Sequence, residues 1–508
     1  MSSPSSDDLM PGSGRPLMAR RPSGPARAGL SGSIAALAIV VLVGVLAIPV
    51  SSLVRNGKSF WPEHWDPRLA PIAHRDEQIH ALKYKHPVPV RFLSDAAFKK
   101  LVVGSDSSDT AGRAEIGREA ATFRALGFIG GKVDLFQVTK QADEAGVLAF
   151  YDFDKKEIVV RGTALDVSRR ATLAHELTHV LQDQHFDIRK IEARAAADDE
   201  QRGGSAGAVL ALIEGDANRV RDSYLKGLTP AERAAYDRAQ RRQGSDIANA
   251  TPDVPPIVQL LFSAPYELGP LTIRMLLANG GNAAVDAALT GPTPTSADFV
   301  QAGLVAPPPP GLPAPILGTN EKAEGSPESF GAFELYVMLA SRDDPATALM
   351  AADSVLGGRA QGLRRNGKYC YRATLAIRDA AAAKFVVGSV QRWARSATDA
   401  LVSRDGSHVT FTACDPGVKA VGASKARLDA AELLLGGRSG IAVGAAEGGV
   451  PAGAARCVAR LFALSPGAIS TLEQAARATL PPDAATRLRD LVRQEALTCR
   501  DNPKAGLL

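Results

Sequence analysis

Two histidines four residues apart, with a glutamate directly after the first, constrain this chain more than any other feature: His175-Glu176-Leu177-Thr178-His179. Residues four apart share one side of a helix, so two imidazoles can converge on a single ion. The spacing predicts a helix over about 166–184, with Asp166 as N-cap. At about 100° per residue, Leu173, Leu177, Val180 and Leu181 form one stripe, while His175, His179 and Gln182 fall opposite. The helix can therefore pack on its leucines and present the imidazoles to a cleft. Two polar residues on a solvated helix face are the plain alternative.

A catalytic zinc site usually takes three protein ligands and keeps one position open. The segment Ala211-Leu212-Ile213-Glu214-Gly215-Asp216-Ala217-Asn218 lies in a second expected helix, about 205–226. Val209, Leu212, Ile213 and Val220 mark its apolar side, and Glu214 projects roughly opposite, with Asn218 one turn on. Gly215 and Ala217 are small enough to let the two helices approach. The expected ligands of Zn2+ are thus His175, His179 and Glu214, with Glu176 as the base that takes a proton from water. A surface role for Glu214 is the alternative. His185, six residues after His179, is a rival third ligand. That spacing needs the chain to leave the helix three residues after the second histidine, usually at Gly. Gln182 stands there, and Met275 sits in an apolar helical run instead of a separate turn.

The string HELTHVLQDQHF followed by LIEGDA resembles gluzincin-type zinc peptidases. More narrowly, it resembles a family of exported bacterial proteins, many of them actinobacterial, that carry HExxH and a downstream EGDA. DPRLAPIA (66–73), KHPVPVRFL (85–93) and PYELGPLTIRML (265–276) extend the likeness over most of residues 60–415. The resemblance implies a zincin-like fold, His175, His179 and Glu214 as ligands and Glu176 as base. The chain departs from the better-known gluzincins in its wider gap between HExxH and the glutamate. It also has no clear His or Tyr motif for stabilising an oxyanion; Tyr266 is a candidate, against an ordinary packing role.

No charged residue occurs between Arg27 and Arg55. A bilayer core needs about 20 apolar residues as a helix, and residues 29–54 supply them. Arg15, Arg20, Arg21 and Arg27 precede this run, which places residues 1–28 in the cytoplasm and 55–508 outside. A cleaved signal peptide is the competing reading; its charged region would be long, and no small-x-small site follows. Both readings export the remainder. The cysteines, Cys370, Cys414, Cys457 and Cys499, are even in number and form no CxxC pair. In an oxidising compartment they read as two disulfides. Of the three pairings, Cys370–Cys414 and Cys457–Cys499 would each close a compact local unit; four buried thiols are the alternative.

The expected fold class is α+β, mostly helical. A zincin-like metallopeptidase domain is expected over 55–305, with a hairpin over 146–162 ahead of the histidine helix. Helices are also expected near 95–102, 113–126, 230–243 and 253–290. Residues 55–85 read as a polar juxtamembrane stretch, with Trp61 and Trp65 either at the membrane surface or packed. A Pro-rich linker is expected over 306–324, then a disulfide-bearing α/β and helical region over 325–508. With 22% charged residues and a net charge of only +5 over 508 residues, the chain lacks the basic character of a nucleic-acid binder. The expected function is membrane-anchored, extracytoplasmic peptide-bond hydrolysis on a peptide or protein substrate. The alternative is a catalytically inactive zincin-fold protein that binds or organises the cell envelope.

Overall fold

The computed structural model describes residues 61–103, 110–138, 147–202, 206–250, 254–301, 303, 312, 314–477 and 482–502. The fold is a mostly helical α+β arrangement with two sheets and two disulfides. The expected membrane helix, 29–54, and the tail before it lie outside the described residues. Among the described residues no helix is long and apolar enough to cross a membrane.

The first part runs α1 (Ala70–His80), β1 (Val90–Leu93), α2 (Asp95–Val103), α3 (Thr110–Ala125), β2 (Ala149–Asp152) and β3 (Glu157–Arg161). The strands form a small sheet of order β1-β3-β2, parallel between β1 and β3 and antiparallel between β2 and β3. The expected hairpin is present. Its turn closes through Asp152, whose Oδ1 accepts from the backbone N–H of Asp154 and Lys155. Helix α1 was not anticipated from the polar stretch 55–85. Its Asp76 and His80 are buried, and Trp61 stacks on His86 while Trp65 meets Tyr84 edge-on. The two tryptophans are therefore packing residues here.

Next come α4 (Val167–Phe186), α5 (Ile188–Arg202), α6 (Ala206–Lys226), α7 (Pro230–Ala250), α8 (Pro256–Thr290) and α9 (Ser296–Val300). Helix α5 fills a stretch for which no helix was expected, and α7 runs past the expected end at 243. Helix α8 breaks at Gly280 and Gly281, where Gly281 takes a positive φ of 63°.

The rest comprises β4 (Glu321–Ala323), β5 (Glu328–Ser329), α10 (Ala332–Ala340), α11 (Pro345–Ala352), β6 (Val355–Arg365), β7 (Lys368–Ile377), α12 (Ala380–Ala394), β8 (Thr398–Asp405) and β9 (His408–Cys414). Four helices close the fold: α13 (Lys425–Glu447), α14 (Ala452–Leu464), α15 (Ala468–Ala476) and α16 (Pro482–Asp501). The second sheet is antiparallel, of order β4-β6-β7-β9-β8, with β5 also on β6. Cys370 and Cys414 face each other across β7 and β9 and are disulfide-bonded. Cys457 on α14 is bonded to Cys499 on α16. Both expected pairings are present.

The expected linker, 306–324, is described only in part. Pro307–Pro310 lie outside the described residues, but the end of the same stretch, Glu321–Ala323, is strand β4 paired with β6. The largest apolar cluster joins Ala120, Phe128 and Ile129 to Ala208 and Ala211 of α6 and Ile257 and Leu268 of α8. It continues into Phe330, Tyr336, Trp393, Phe411 and Leu434. Burial of apolar surface drives folding, and here both sides of the stretch 306–324 build one buried mass.

Candidate metal centre

Helix α4 starts where expected. Asp166 is its N-cap, and the side-chain Oδ1 accepts from the Arg169 backbone N–H at 2.9 Å. Such a cap satisfies one of the first-turn donors that a helix leaves open. The helix ends at Asp187, in the left-handed region at φ 56°, with its N–H on the Asp183 carbonyl. Leu173, Leu177 and Val180 pack against Ala149, Tyr151, Ile158 and Val160 of the small sheet and Leu69, Ile72 and Ala73 of the α1 region. The leucine stripe thus fixes the helix to the sheet, as its periodicity predicts.

The opposite side meets α6 and not open solvent. His175 and His179 are each 3% exposed, Glu214 2% and Glu176 7%. His175 Nε2 and His179 Nε2 lie 3.1 Å apart. Glu214 Oε2 is 3.0 Å from the first and 3.6 Å from the second. One ligand atom from each of the three residues therefore falls within 4.8 Å of the others. This group could hold a metal ion. A tetrahedral ion with bonds of about 2.0–2.1 Å separates its donor atoms by about 3.3–3.4 Å, and the observed spacings bracket that value. Glu214 Oε2 is buried and accepts no well-aligned hydrogen bond. An acidic oxygen beside two ring nitrogens is a donor set that a cation satisfies.

The proton inventory fits the same description. Burial works against charge on His179, but the Glu214 carboxylate outweighs it and raises the imidazole to about 9. Burial lowers His175. Burial would also raise Glu214, yet His179 and His175 hold it at about 2. Without a metal ion the carboxylate is ionised, His175 is neutral and His179 holds a proton that a metal would have to displace.

A layer of partners lies behind the histidines. Gln182 Oε1 is 3.0 Å from His179 Nδ1. The amide nitrogen of Gln182 donates to the Ile213 carbonyl at 3.1 Å and to Asp216 Oδ2 at 3.0 Å. Asp216 is fully buried, 2.8 Å from His80 Nε2 and 2.7 Å from an Arg219 guanidinium nitrogen. Contact with these two side chains outweighs burial and holds the Asp216 carboxyl well below the usual range. Helices α1, α4 and α6 are thereby joined by polar contacts behind the metal-ligating edge.

Glu176 points toward the sheet edge. Its Oε2 accepts from the Tyr151 backbone N–H at 2.9 Å. Strand β2 is the outer strand of its sheet, so this N–H is not used by a neighbouring strand. Burial pushes the Glu176 carboxyl up to about 8.

The remaining sequence candidates are placed as follows. His185 is at the end of α4 and its Nε2 lies 2.8 Å from the Lys83 carbonyl; it is not in the donor group. Asn218 is buried, with its amide nitrogen 3.5 Å from the Tyr266 carbonyl. Tyr266 meets α6 through its backbone. Gly215 does not ease the approach of α6 to α4. It faces Gly269 of α8, where a Cβ on either residue would overlap backbone of the other helix. Asp216, His80 and the Tyr151 N–H were not foreseen. Asp216 is visible as the third residue of EGDA, whereas nothing in the polar string around His80 distinguishes a buried histidine from a surface one.

Comparison with protein-family models, curated proteins and solved structures found no match to this chain.

Proposed function

We propose that the protein is a membrane-anchored, extracytoplasmic zinc-dependent metallopeptidase of zincin-like fold. The observation that carries the proposal is the convergence of His175, His179 and Glu214 on one point, with Glu176 on the turn between the two histidines. Three protein donors leave a fourth position for a substrate or water. Zinc held there would supply Lewis acidity for a scissile carbonyl and for water.

The chain's own residues would do the rest. Gln182 orients His179 so that Nε2 keeps its lone pair on the metal side. The Tyr151 N–H holds the Glu176 carboxylate against the sheet edge. A cation bound beside it would favour the ionised form of Glu176, which would then take a proton from the attacking water and pass it to the leaving amine. The charge-free run at 29–54 and the arginines before it support an anchor with the remainder outside. The two disulfides fit an oxidising compartment.

The near-complete burial of the site favours a second reading, a non-catalytic envelope protein in which the metal stabilises the α4–α6 pair. Glu176→Gln separates the two. Under the proposal, the variant keeps stoichiometric zinc and loses peptide hydrolysis by at least about a hundredfold. A wild-type protein that holds zinc yet cleaves no member of a broad peptide library supports the second reading. Proteolysis unchanged in the variant sinks the first.

A further inference from the structure

Far along the chain from the metal ligands, α11, α13 and α14 meet around the carboxylate of Asp353, the residue that ends α11. Arg438 on α13 donates from Nη1 to Asp353 Oδ1 at 2.9 Å. Arg460 on α14 has its Nε 3.8 Å from Asp353 Oδ2. Arg456, one turn earlier on α14, and Arg378, directly after β7, also act on Arg460 through their charges. Asp298 of α9 attracts Arg456, and Asp379 lies 3.4 Å from Arg378. Among the described residues, this cluster holds the guanidiniums of Arg378, Arg438, Arg456 and Arg460 and the carboxylates of Asp298, Asp353 and Asp379.

Its innermost members are deeply buried. Arg438 is 0% exposed and Arg460 5%, and the carboxylate they share is Asp353. A guanidinium cannot shed its proton to escape such a setting. Burial and the crowding of like charges, only partly offset by Asp353, lower Arg460 to about 10. Most telling is Arg438 itself: its Nε and Nη2 are buried and make no hydrogen bond. These two donors form one edge of the guanidinium. With that same edge Arg124 grips Asp415, at 2.9 Å from Nε and 2.6 Å from Nη2. Two parallel N–H donors match two oxygens of an oxyanion.

We propose that the free Arg438 edge, beside the Asp353 carboxylate that Arg460 also faces, binds a small inorganic oxyanion of the phosphate or sulfate type. Burial sets the size of the ligand. Because Arg438 is fully enclosed, the ligand proposed is a free ion and not a lipid headgroup or a polyanion, whose attached bulk would have to be buried with it. The bound ion would satisfy the two open donors of Arg438 between α11, α13 and α14. It would therefore act as a structural ligand of this part of the fold, independent of the metal centre.

The test is titration of the purified full-length protein with inorganic phosphate at constant pH and ionic strength, by calorimetry and by thermal unfolding, against chloride. Saturable binding at one site and a saturable rise in Tm are expected. General stabilisation by excluded salts rises without saturation, and would be equal in Arg438→Met. That substitution should abolish the saturable part. Because Arg438→Met could fail to fold, Asp353→Asn provides the opposite sign: deleting the competing carboxylate should tighten phosphate binding at least about tenfold. A wild-type protein with no saturable phosphate response overturns the proposal. So does an Asp353→Asn protein whose phosphate affinity equals that of the wild type.

Discussion

His179 Nδ1 lies 3.0 Å from Gln182 Oε1, one turn further along the same helix. Gln182 has no freedom to present its amide hydrogens there, because both are taken by the Ile213 carbonyl and Asp216 Oδ2. Its oxygen must face the ring, so His179 keeps a proton on Nδ1, and Nε2 is the nitrogen that a metal would take in place of a proton. Gln182→Leu removes this constraint. Zinc affinity, measured by competition with a chelator, should fall about 10–100-fold. Unchanged affinity would show that the tautomer is set by something else.

The identity of the third donor has a direct test. If the site holds zinc, Glu214→Ala should lose it, while His185→Ala should keep it, because His185 engages the Lys83 carbonyl and lies outside the donor group. Metal analysis of the two purified variants decides the point. Zinc retained in Glu214→Ala and lost in His185→Ala would reverse the assignment.

What the sequence could reveal follows from which side chains report their own surroundings. The stripe of Leu173, Leu177 and Val180 and the cap at Asp166 are local signals, and α4 lies where they put it. The opposed Cys370 and Cys414 close neighbouring strands. Helix α1 was illegible because its buried residues include Asp76 and His80, which by composition read as surface. The same failure hid the Asp216–Gln182 contact, since a buried carboxylate is recognisable only by its partners. Gly215 was assigned to the wrong neighbour. A small residue announces close approach but not the helix that approaches.

That contact supplies the next expectation. Gly215→Ala or Gly269→Ala inserts a methyl group where α6 and α8 touch backbone to backbone. Overpacking of this kind costs about 1–3 kcal/mol, occasionally more, and neither main chain can rotate away as a side chain could. Chemical denaturation should show the loss for each variant. A neutral result would mean that the helices can separate without penalty.

Strand β4 offers a pH-dependent test remote from the metal. Arg372 grips Glu321 with two nitrogens, at 2.6 and 2.7 Å, and holds its carboxyl below the usual carboxylate range. The folded state therefore gains stability above the ordinary value of 4.5 and loses it as pH falls through the lower folded value. Glu321→Gln should destabilise the protein by on the order of 1 kcal/mol at pH 7. The difference from wild type should shrink steadily below pH of about 4.5. Denaturation curves at several pH values check this, and a gap that is constant with pH would contradict it.

The core that crosses residues 306–324 bears on inheritance. Ala208 and Ala211, on the helix that carries Glu214, lie in the same apolar mass as Trp393 and Phe411. A gene fragment ending before residue 325 would encode every metal donor and omit much of the wall on which that helix leans. The metal-ligating segment is thus no portable cassette that recombination could graft onto a new partner. The helix with Glu214 and the disulfide-bearing sheet share one apolar core, so a change in either is felt by the other.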